Sequence, residues 1–162
     1  MQSINAILRY GEAFLKEFTP DYLIDAKLLL EHTIGKDSIY LFMNKDELLE
    51  EDLIATYKGF LERRKTGEPL QYIVGHQSFM GLEFLVRPGV LIPRSDTEVL
   101  VEKVIEAMDV PSPRLLDIGT GSGAIHIALA SYIKEASCVT VDISKEAIAI
   151  AKENARRLDV YD

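Results

Sequence analysis

The residues best suited to chemistry form the glycine-rich segment Asp117-Ile118-Gly119-Thr120-Gly121-Ser122-Gly123, between a predicted strand and a predicted helix. Glycines at alternate positions let the backbone turn tightly, and a ligand can lie against the main chain because no Cβ intervenes. The start of the following helix presents free amides and a positive dipole end, which favour a carboxylate or a phosphate. Asp142 follows the next predicted strand, where a carboxylate can accept both hydroxyls of a ribose.

Two classes of ligand share these parts, and charge separates them. The dinucleotide fingerprint is G-x-G-x-x-G, whereas the loop here is G-x-G-x-G. Asp117, two residues before the first glycine, would repel a pyrophosphate but attract an ammonium group. S-adenosylmethionine has an ammonium group and a ribose diol and no phosphate, so the sequence favours it over a nicotinamide or flavin dinucleotide. The remaining alternative is a glycine-rich turn with a purely structural role.

The chain around this loop predicts alternating strands and helices. A short buried strand is expected at 115–118, and an apolar helix follows at 124–133. A second strand at 139–141 leads into a helix that Ser144 can cap and that runs to about Leu158. Because a helix separates the two strands, they are expected to be parallel, with a right-handed crossover.

The residues before this α/β segment change in character along the chain. Apolar residues at helical spacing predict helices over roughly the first 65 residues, with Ser3 as an N-cap and Gly35 ending the second helix. A further helix is predicted to begin near Asp52. Residues 77–86 are typical of a β-hairpin, and Ser95-Asp96-Thr97-Glu98 reads as a capping box. The predicted organisation is a helical domain at 1–75, a β-hairpin linker at 76–95 and the first part of an α/β domain at 96–162.

Composition excludes several classes of protein. The 162 residues carry 18 Lys and Arg against 26 Asp and Glu, and the net charge of −8 disfavours non-specific binding to nucleic acid. The single Cys138 cannot form an internal disulfide, and no apolar run approaches the length of a membrane span. The N-terminus also lacks the features of a signal peptide, so we expect a cytoplasmic protein.

Four other reactive side chains receive structural interpretations. His126 lies in the apolar helix after the loop and is interpreted as a packed side chain rather than a base, because no matching acid is near it in sequence. His32 and His76 lack metal-ligand spacing, and Cys138 is interpreted as a small hydrophobic residue. The sequence therefore predicts no metal site and assigns no catalytic residue.

Three segments carry a resemblance to a known family. Arg63-Arg64-Lys65-Thr66-Gly67-Glu68-Pro69-Leu70-Gln71-Tyr72-Ile73-Val74-Gly75 resembles the joining segment of the HemK/PrmC protein-glutamine methyltransferases. Phe79-Met80-Gly81-Leu82-Glu83-Phe84 and Pro88-Gly89-Val90-Leu91-Ile92-Pro93-Arg94 continue the match in order. The resemblance implies a helical N-terminal domain, a β-hairpin hinge and a Rossmann-like class I methyltransferase domain. The implied activity is methyl transfer from S-adenosylmethionine to the side-chain amide of the Gln in the Gly-Gly-Gln motif of peptide chain release factors.

The resemblance also assigns roles by position. It implies that Asp142 holds the ribose and that residues 91–94 lie over the cofactor from the other side. Ser95 stands where the family usually has proline. The helical domain would help to dock the release factor. The methionine end of the cofactor would be held by Gly119, Thr120, Gly121, Ser122 and Gly123, supported by Asp117.

One departure from the family is large. The family's catalytic Asn-Pro-Pro-Tyr is absent, since the only asparagines are Asn5, Asn44 and Asn154 and none precedes proline. We therefore expect an N-terminal fragment with an incomplete α/β domain, inactive on its own. Two alternatives stay open: an Asn-Pro-Pro-Tyr-type adenine methyltransferase acting on nucleic acid, which the net charge disfavours, and a non-enzymatic adaptor that binds release factor.

Overall fold

The computed structural model describes residues 1–160, and the chain divides into two compact units, Met1–Val74 and Gly75–Asp162. The first unit is helical. A short antiparallel pair joins β1 (Gln2–Ser3), at the start of the unit, to β2 (Leu48–Leu49), just before α4, and was not predicted from the sequence. Its helices are α1 (Ile4–Leu15), α2 (Tyr22–Ile34), α3 (Ser38–Met43), α4 (Glu51–Lys65) and α5 (Leu70–Val74).

Local signals fix the ends of these helices. Ser3 caps α1 as predicted, because its Oγ accepts a hydrogen bond from the amide of Ala6 at 3.3 Å. Gly35 ends α2 in the left-handed region at φ +68°, also as predicted. Helix α4 begins at Glu51, one residue before the predicted Asp52, and three cations occupy its last turn.

Charged side chains hold the end of α4 in place. Arg64 Nε lies 2.8 Å from Asp25 Oδ2 on α2, and its Nη2 lies 3.2 Å from Thr19 Oγ1. Arg63 forms two hydrogen bonds to the Glu68 carboxylate, at 2.9 Å and 2.6 Å. Two of the three cations in the segment that resembles the family therefore serve the folding of the first unit.

The second unit starts with the predicted hairpin and continues as an α/β segment. Strand β3 (His76–Phe79) pairs antiparallel with β4 (Leu82–Leu85) around the turn residues Met80 and Gly81. The predicted parallel pair is also present, with Asp117 opposite Thr140. Its elements are α6 (Ser95–Ala107), β5 (Arg114–Ile118), α7 (Ala124–Tyr132), β6 (Ser137–Val141) and α8 (Lys145–Arg157), and Ser144 caps α8 as predicted.

The predicted capping box at the start of α6 is wrong. The helix begins at Ser95, but Arg94 occupies the N-cap position and its side chain makes no capping hydrogen bond. Glu98 does not reach back to its own helix. Its Oε1 instead accepts a hydrogen bond from the amide of Met80 in the hairpin turn, at 2.5 Å. Tyr132 also holds this turn, because its hydroxyl donates a hydrogen bond to the Met80 carbonyl.

The strand at 115–118 was expected to be buried, but only one of its two faces is. Leu115 packs against the core formed with α7, whereas Leu116 and Ile118 are 64% and 77% exposed. Val139 and Val141 on β6 are exposed in the same way. The reason is that, among the described residues, helix α7 packs against one face of this two-stranded sheet, while the side chains of the other face stay exposed.

Candidate functional site

The glycine loop folds so that its backbone has one open face and one packed face. Gly119, Gly121 and Gly123 all have positive φ angles, of 86°, 54° and 86°. A Cβ added at Gly119 or Gly121 would meet nothing within 4 Å. A Cβ at Gly123 would lie 2.7 Å from Ile127 Cδ1 and 3.2 Å from Ala151 Cβ. The first two glycines therefore leave space for a ligand, and the third allows α7 and α8 to pack closely.

Asp142 is held against this loop by two backbone amides. Its Oδ2 accepts a hydrogen bond from Gly121 N at 3.0 Å, and its Oδ1 accepts one from Ser144 N at 2.9 Å. The amide of Ser144 first, and then that of Gly121, hold the pKa of Asp142 below its ordinary value. Because each carboxylate oxygen has two lone pairs, both oxygens keep an acceptor position for a ligand hydroxyl.

Asp117 and Thr120 meet at a third side chain, that of His126. His126 Nδ1 lies 3.1 Å from Asp117 Oδ2 and 3.0 Å from Thr120 Oγ1. The interpretation of His126 as a packed side chain agrees with its 8% exposure. The acid that contacts it, Asp117, lies nine residues away in sequence and is brought close because the loop folds the first turn of α7 back onto the end of β5. No sequence pattern marks this contact.

The loop is also anchored from α8 by a residue that the sequence analysis did not single out for a site. Asn154, which is fully buried, donates a hydrogen bond from Nδ2 to the carbonyl of Ser122 at 2.9 Å. The side chain of Ser122 is itself buried, and the carbonyl of Thr120 accepts a hydrogen bond from the amide of Gly123. The only signal in the sequence is a polar residue at a core-facing position of an otherwise alanine-rich helix face.

A cavity of about 330 Å³ lies between α7, β6 and α8. His126, Cys138 and Lys152 are among its lining residues. Cys138 Sγ donates to the carbonyl of His126 at 3.6 Å, and burial, with a smaller contribution from Asp117, raises the pKa of the thiol. Cys138 therefore stays protonated near neutral pH, in agreement with its interpretation as a small packed residue.

The chemistry of these groups fits S-adenosylmethionine. The open backbone at Gly119 and Gly121 leaves room for the ligand, the Asp142 oxygens can accept the two ribose hydroxyls, and the Asp117 carboxylate can attract the ammonium group. Within residues 1–160, no group of three or more His, Cys, Asp or Glu side chains is arranged to hold a metal ion. In the same part of the chain, no helix is long and apolar enough to cross a membrane.

Comparison with known proteins connects both units to described families. Residues 6–75 match the model of the PrmC N-terminal domain, and residues 110–161 match a methyltransferase domain model. The first match covers the helical unit, and the second contains the glycine loop and Asp142. The fold and site thus define a chain in which a PrmC-type helical domain precedes a methyltransferase segment.

Curated relatives make the assignment more specific. The chain is 39% identical to the release factor glutamine methyltransferase of Clostridium acetobutylicum, over 91% of this chain and 53% of the relative. The identities are 43% for the protein of the same name in Koribacter versatilis and 41% for that in Vibrio cholerae, each over 56% of the relative. The chain thus carries a PrmC N-terminal domain followed by a methyltransferase segment, and it spans about half the length of the curated relatives it matches.

One solved structure is similar to part of the chain. It is a ribosomal protein L11 methylase from Lactobacillus delbrueckii subsp. bulgaricus, 34% identical over 48% of this chain and 39% of that chain, with a TM-score of 0.40.

Proposed function

We propose that this chain binds S-adenosylmethionine at the glycine loop and forms part of an enzyme that methylates peptide chain release factors. The proposed target is the side-chain amide of the Gln in the Gly-Gly-Gln motif. The observation that carries the proposal is the juxtaposition of an open glycine backbone with the Asp142 carboxylate, joined by the 3.0 Å hydrogen bond from Gly121 N. The names of the curated relatives support the choice of release factor as substrate.

Each side chain of the site has a distinct task in this proposal. Asp142 accepts hydrogen bonds from the ribose diol and so orients the nucleoside. Asp117 faces the ammonium group, and the backbone from Gly119 to Gly123 lies along the methionine part, with Thr120 and Ser122 buried behind it. When bound, the cofactor supplies an electrophilic methyl group on a sulfonium. We propose in addition that the α/β segment belongs to a Rossmann-like class I methyltransferase domain.

The amide nitrogen of glutamine is a weak nucleophile, so its methylation depends on orientation more than on acid-base chemistry. The family signature for that task, Asn-Pro-Pro-Tyr, does not occur in these 162 residues. We therefore expect this chain to bind the cofactor without methylating release factor, and we assign it no catalytic residue. In this proposal the helical unit docks the release factor.

Calorimetric titration of the chain with S-adenosylmethionine tests the cofactor site. Saturable binding is expected for the wild type, and Asp142→Ala is expected to weaken it by about tenfold or more, since two hydrogen bonds to a charged acceptor are lost. Asp109→Asn is the matched control, because Asp109 is an exposed aspartate in the same unit and should not change affinity. Preference for a nicotinamide dinucleotide, or no binding at all, would overturn the proposal.

Two further titrations address the competing functions. A nucleic-acid methyltransferase would bind duplex DNA with an affinity that falls steeply as salt rises. We expect no such binding, in line with the net charge of −8. An adaptor would bind release factor but would have no affinity for S-adenosylmethionine. We expect this chain, in contrast, to bind S-adenosylmethionine.

A further inference from the structure

His126 is placed where it can act on the cofactor site without touching the ligand. It lies in the first turn of α7, and its ring contacts two residues assigned to that site, Asp117 and Thr120, through a single nitrogen atom. The exposed fractions of the His126 and Asp117 side chains are 10% and 15%, so water screens their interaction only weakly.

The partners of Nδ1 determine where the proton of the neutral ring resides. A carboxylate oxygen can only accept, so the 3.1 Å contact with Asp117 Oδ2 requires a proton on Nδ1. Thr120 Oγ1, 3.0 Å from Nδ1, then accepts a hydrogen bond from the same N–H. Neutral His126 therefore already orients Asp117. A second proton, on Nε2, adds positive charge without changing the two contacts.

Several other charged or titratable groups surround this ring. Cys138 from β6 lies behind it, with its thiol bonded to the His126 carbonyl, and Lys152 from α8 lines the same cavity. Helix α7 itself carries no acid or cation. Helix α6 also packs against α7, and its charged residues are Asp96, Glu98, Glu102, Lys103 and Glu106, of which Glu98 is bonded to Met80 and Lys103 to Glu106.

We infer that His126 is a positioning residue that makes the affinity for S-adenosylmethionine depend on pH. The neutral ring holds Asp117 in the orientation that attracts the ligand's ammonium group. Protonation places a positive charge beside that carboxylate, which offsets its attraction and repels the ammonium group, so affinity falls as pH falls. This inference rests on the proposed cofactor site, and it adds a regulatory property that the glycine loop alone does not have.

Calorimetric titration with S-adenosylmethionine at several pH values from about 5.5 to 7 tests the inference, because the ligand's amino group stays protonated throughout this range. Wild-type affinity is expected to fall by about tenfold from the upper to the lower pH, as expected for one unit charge acting near a weakly screened carboxylate. His126→Asn keeps an N–H donor toward Asp117 but cannot gain charge. Its affinity should match the wild type near pH 7 and stay constant across the range.

Two more variants separate positioning from simple packing. His126→Ala removes the donor, so its affinity should be weaker at every pH and equally independent of pH. His76→Asn is the control: His76 is another histidine of the same unit, located in the hairpin, and this variant should keep the wild-type slope. Thermal unfolding of each variant confirms that it is folded.

The outcomes distinguish this inference from the proposed function. If wild-type chain binds no S-adenosylmethionine, the cofactor site itself is refuted. If it binds but His126→Asn keeps the wild-type pH slope, or His126→Ala binds as tightly as wild type, only the role of His126 is refuted. A flat wild-type profile would refute that role as well.

Discussion

Asn154 on α8 and Leu85 on β4 exchange two hydrogen bonds, although 69 residues separate them along the chain. Asn154 Oδ1 accepts from the amide of Leu85 at 2.7 Å, and Nδ2 donates to the carbonyl of Leu85 at 3.0 Å. The side-chain amide thus takes the place of a neighbouring strand. Because Nδ2 also donates to the Ser122 carbonyl at 2.9 Å, this one side chain ties the hairpin to the glycine loop.

Replacing Asn154 should therefore destabilise the second unit. Asn154→Ala leaves the amide and carbonyl of Leu85 and the carbonyl of Ser122 without these partners, which should lower the free energy of unfolding by about 2–4 kcal/mol. Denaturant unfolding measures this change, and amide hydrogen exchange at Leu85 reports it locally. Glu153→Ala, on the adjacent and partly exposed position, should change stability by about 0.5 kcal/mol or less. Equal effects of the two substitutions would contradict this assignment.

Two helical glycines of the first unit should respond in opposite directions to alanine. A Cβ at Gly59 in α4 meets nothing within 4 Å, so Gly59→Ala should raise the free energy of unfolding by about 0.5–1 kcal/mol through helix propensity. A Cβ at Gly11 in α1 would lie 1.9 Å from the hydroxyl oxygen of Tyr57. That tyrosine is buried and donates to the Ala26 carbonyl at 3.0 Å, so it cannot move away cheaply.

Gly11→Ala should accordingly lower the free energy of unfolding by more than about 2 kcal/mol, as overpacking does. Chemical denaturation of both variants gives the comparison. Adding Tyr57→Phe to Gly11→Ala removes the closest oxygen and should recover part of the loss. A stabilising effect of Gly11→Ala would show that the packing of α1 against Tyr57 is not as described.

The features that the sequence predicted correctly are those encoded by neighbouring residues. Ser3, Gly35 and Ser144 end or begin helices through contacts within a few residues, and the structure places all three as predicted. The hairpin and the parallel strand pair follow from turn residues and from the length of the connecting helix. The ligand of the glycine loop stays a prediction.

The contacts that escaped prediction join residues whose proximity depends on the finished fold. Glu98 has the spacing of a capping box, yet it binds the amide of Met80 because the hairpin turn brings that amide close. Asp117 and His126 meet because a five-residue loop folds helix onto strand. Local sequence patterns contain no information on either pairing, since each depends on where a second element packs.

Two adjacent arginines at the end of α4 should differ sharply in their contribution to stability. The Arg64–Asp25 pair is mostly buried, with the two side chains 18% and 7% exposed. Arg64→Met leaves the Asp25 carboxylate buried without its cation and should lower the free energy of unfolding by about 3–5 kcal/mol. Arg63→Met breaks a more exposed pair with Glu68 and should cost about 1 kcal/mol or less.

Denaturant unfolding of these two variants provides a matched comparison, because both remove one cation from the same helical turn. Arg64→Lys should lie between wild type and Arg64→Met, since it restores the charge but not the hydrogen bonds to Thr19 and to the Glu68 carbonyl. The assignment fails if Arg63→Met proves as destabilising as Arg64→Met.

The lowered pKa of Asp142 predicts how stability changes with acid. The amides of Ser144 and Gly121 favour the charged carboxylate in the folded state, so its folded pKa lies below the unfolded value of about 3.9. A group with a lowered folded pKa contributes stability that is fully present above the unfolded pKa and is lost as pH falls through the folded pKa. Asp142 therefore stabilises the fold at neutral pH and contributes to acid unfolding.

Asp142→Asn removes this contribution, because the amide cannot carry the charge. The variant should unfold at a lower temperature than wild type near neutral pH, and the two unfolding temperatures should converge as the pH falls below about 4. Asp109→Asn, in the same unit but exposed, should follow the wild-type curve throughout. Thermal unfolding followed by circular dichroism across this range measures all three, and a constant gap between wild type and Asp142→Asn would show that the Gly121 and Ser144 amides do not favour the ionised carboxylate.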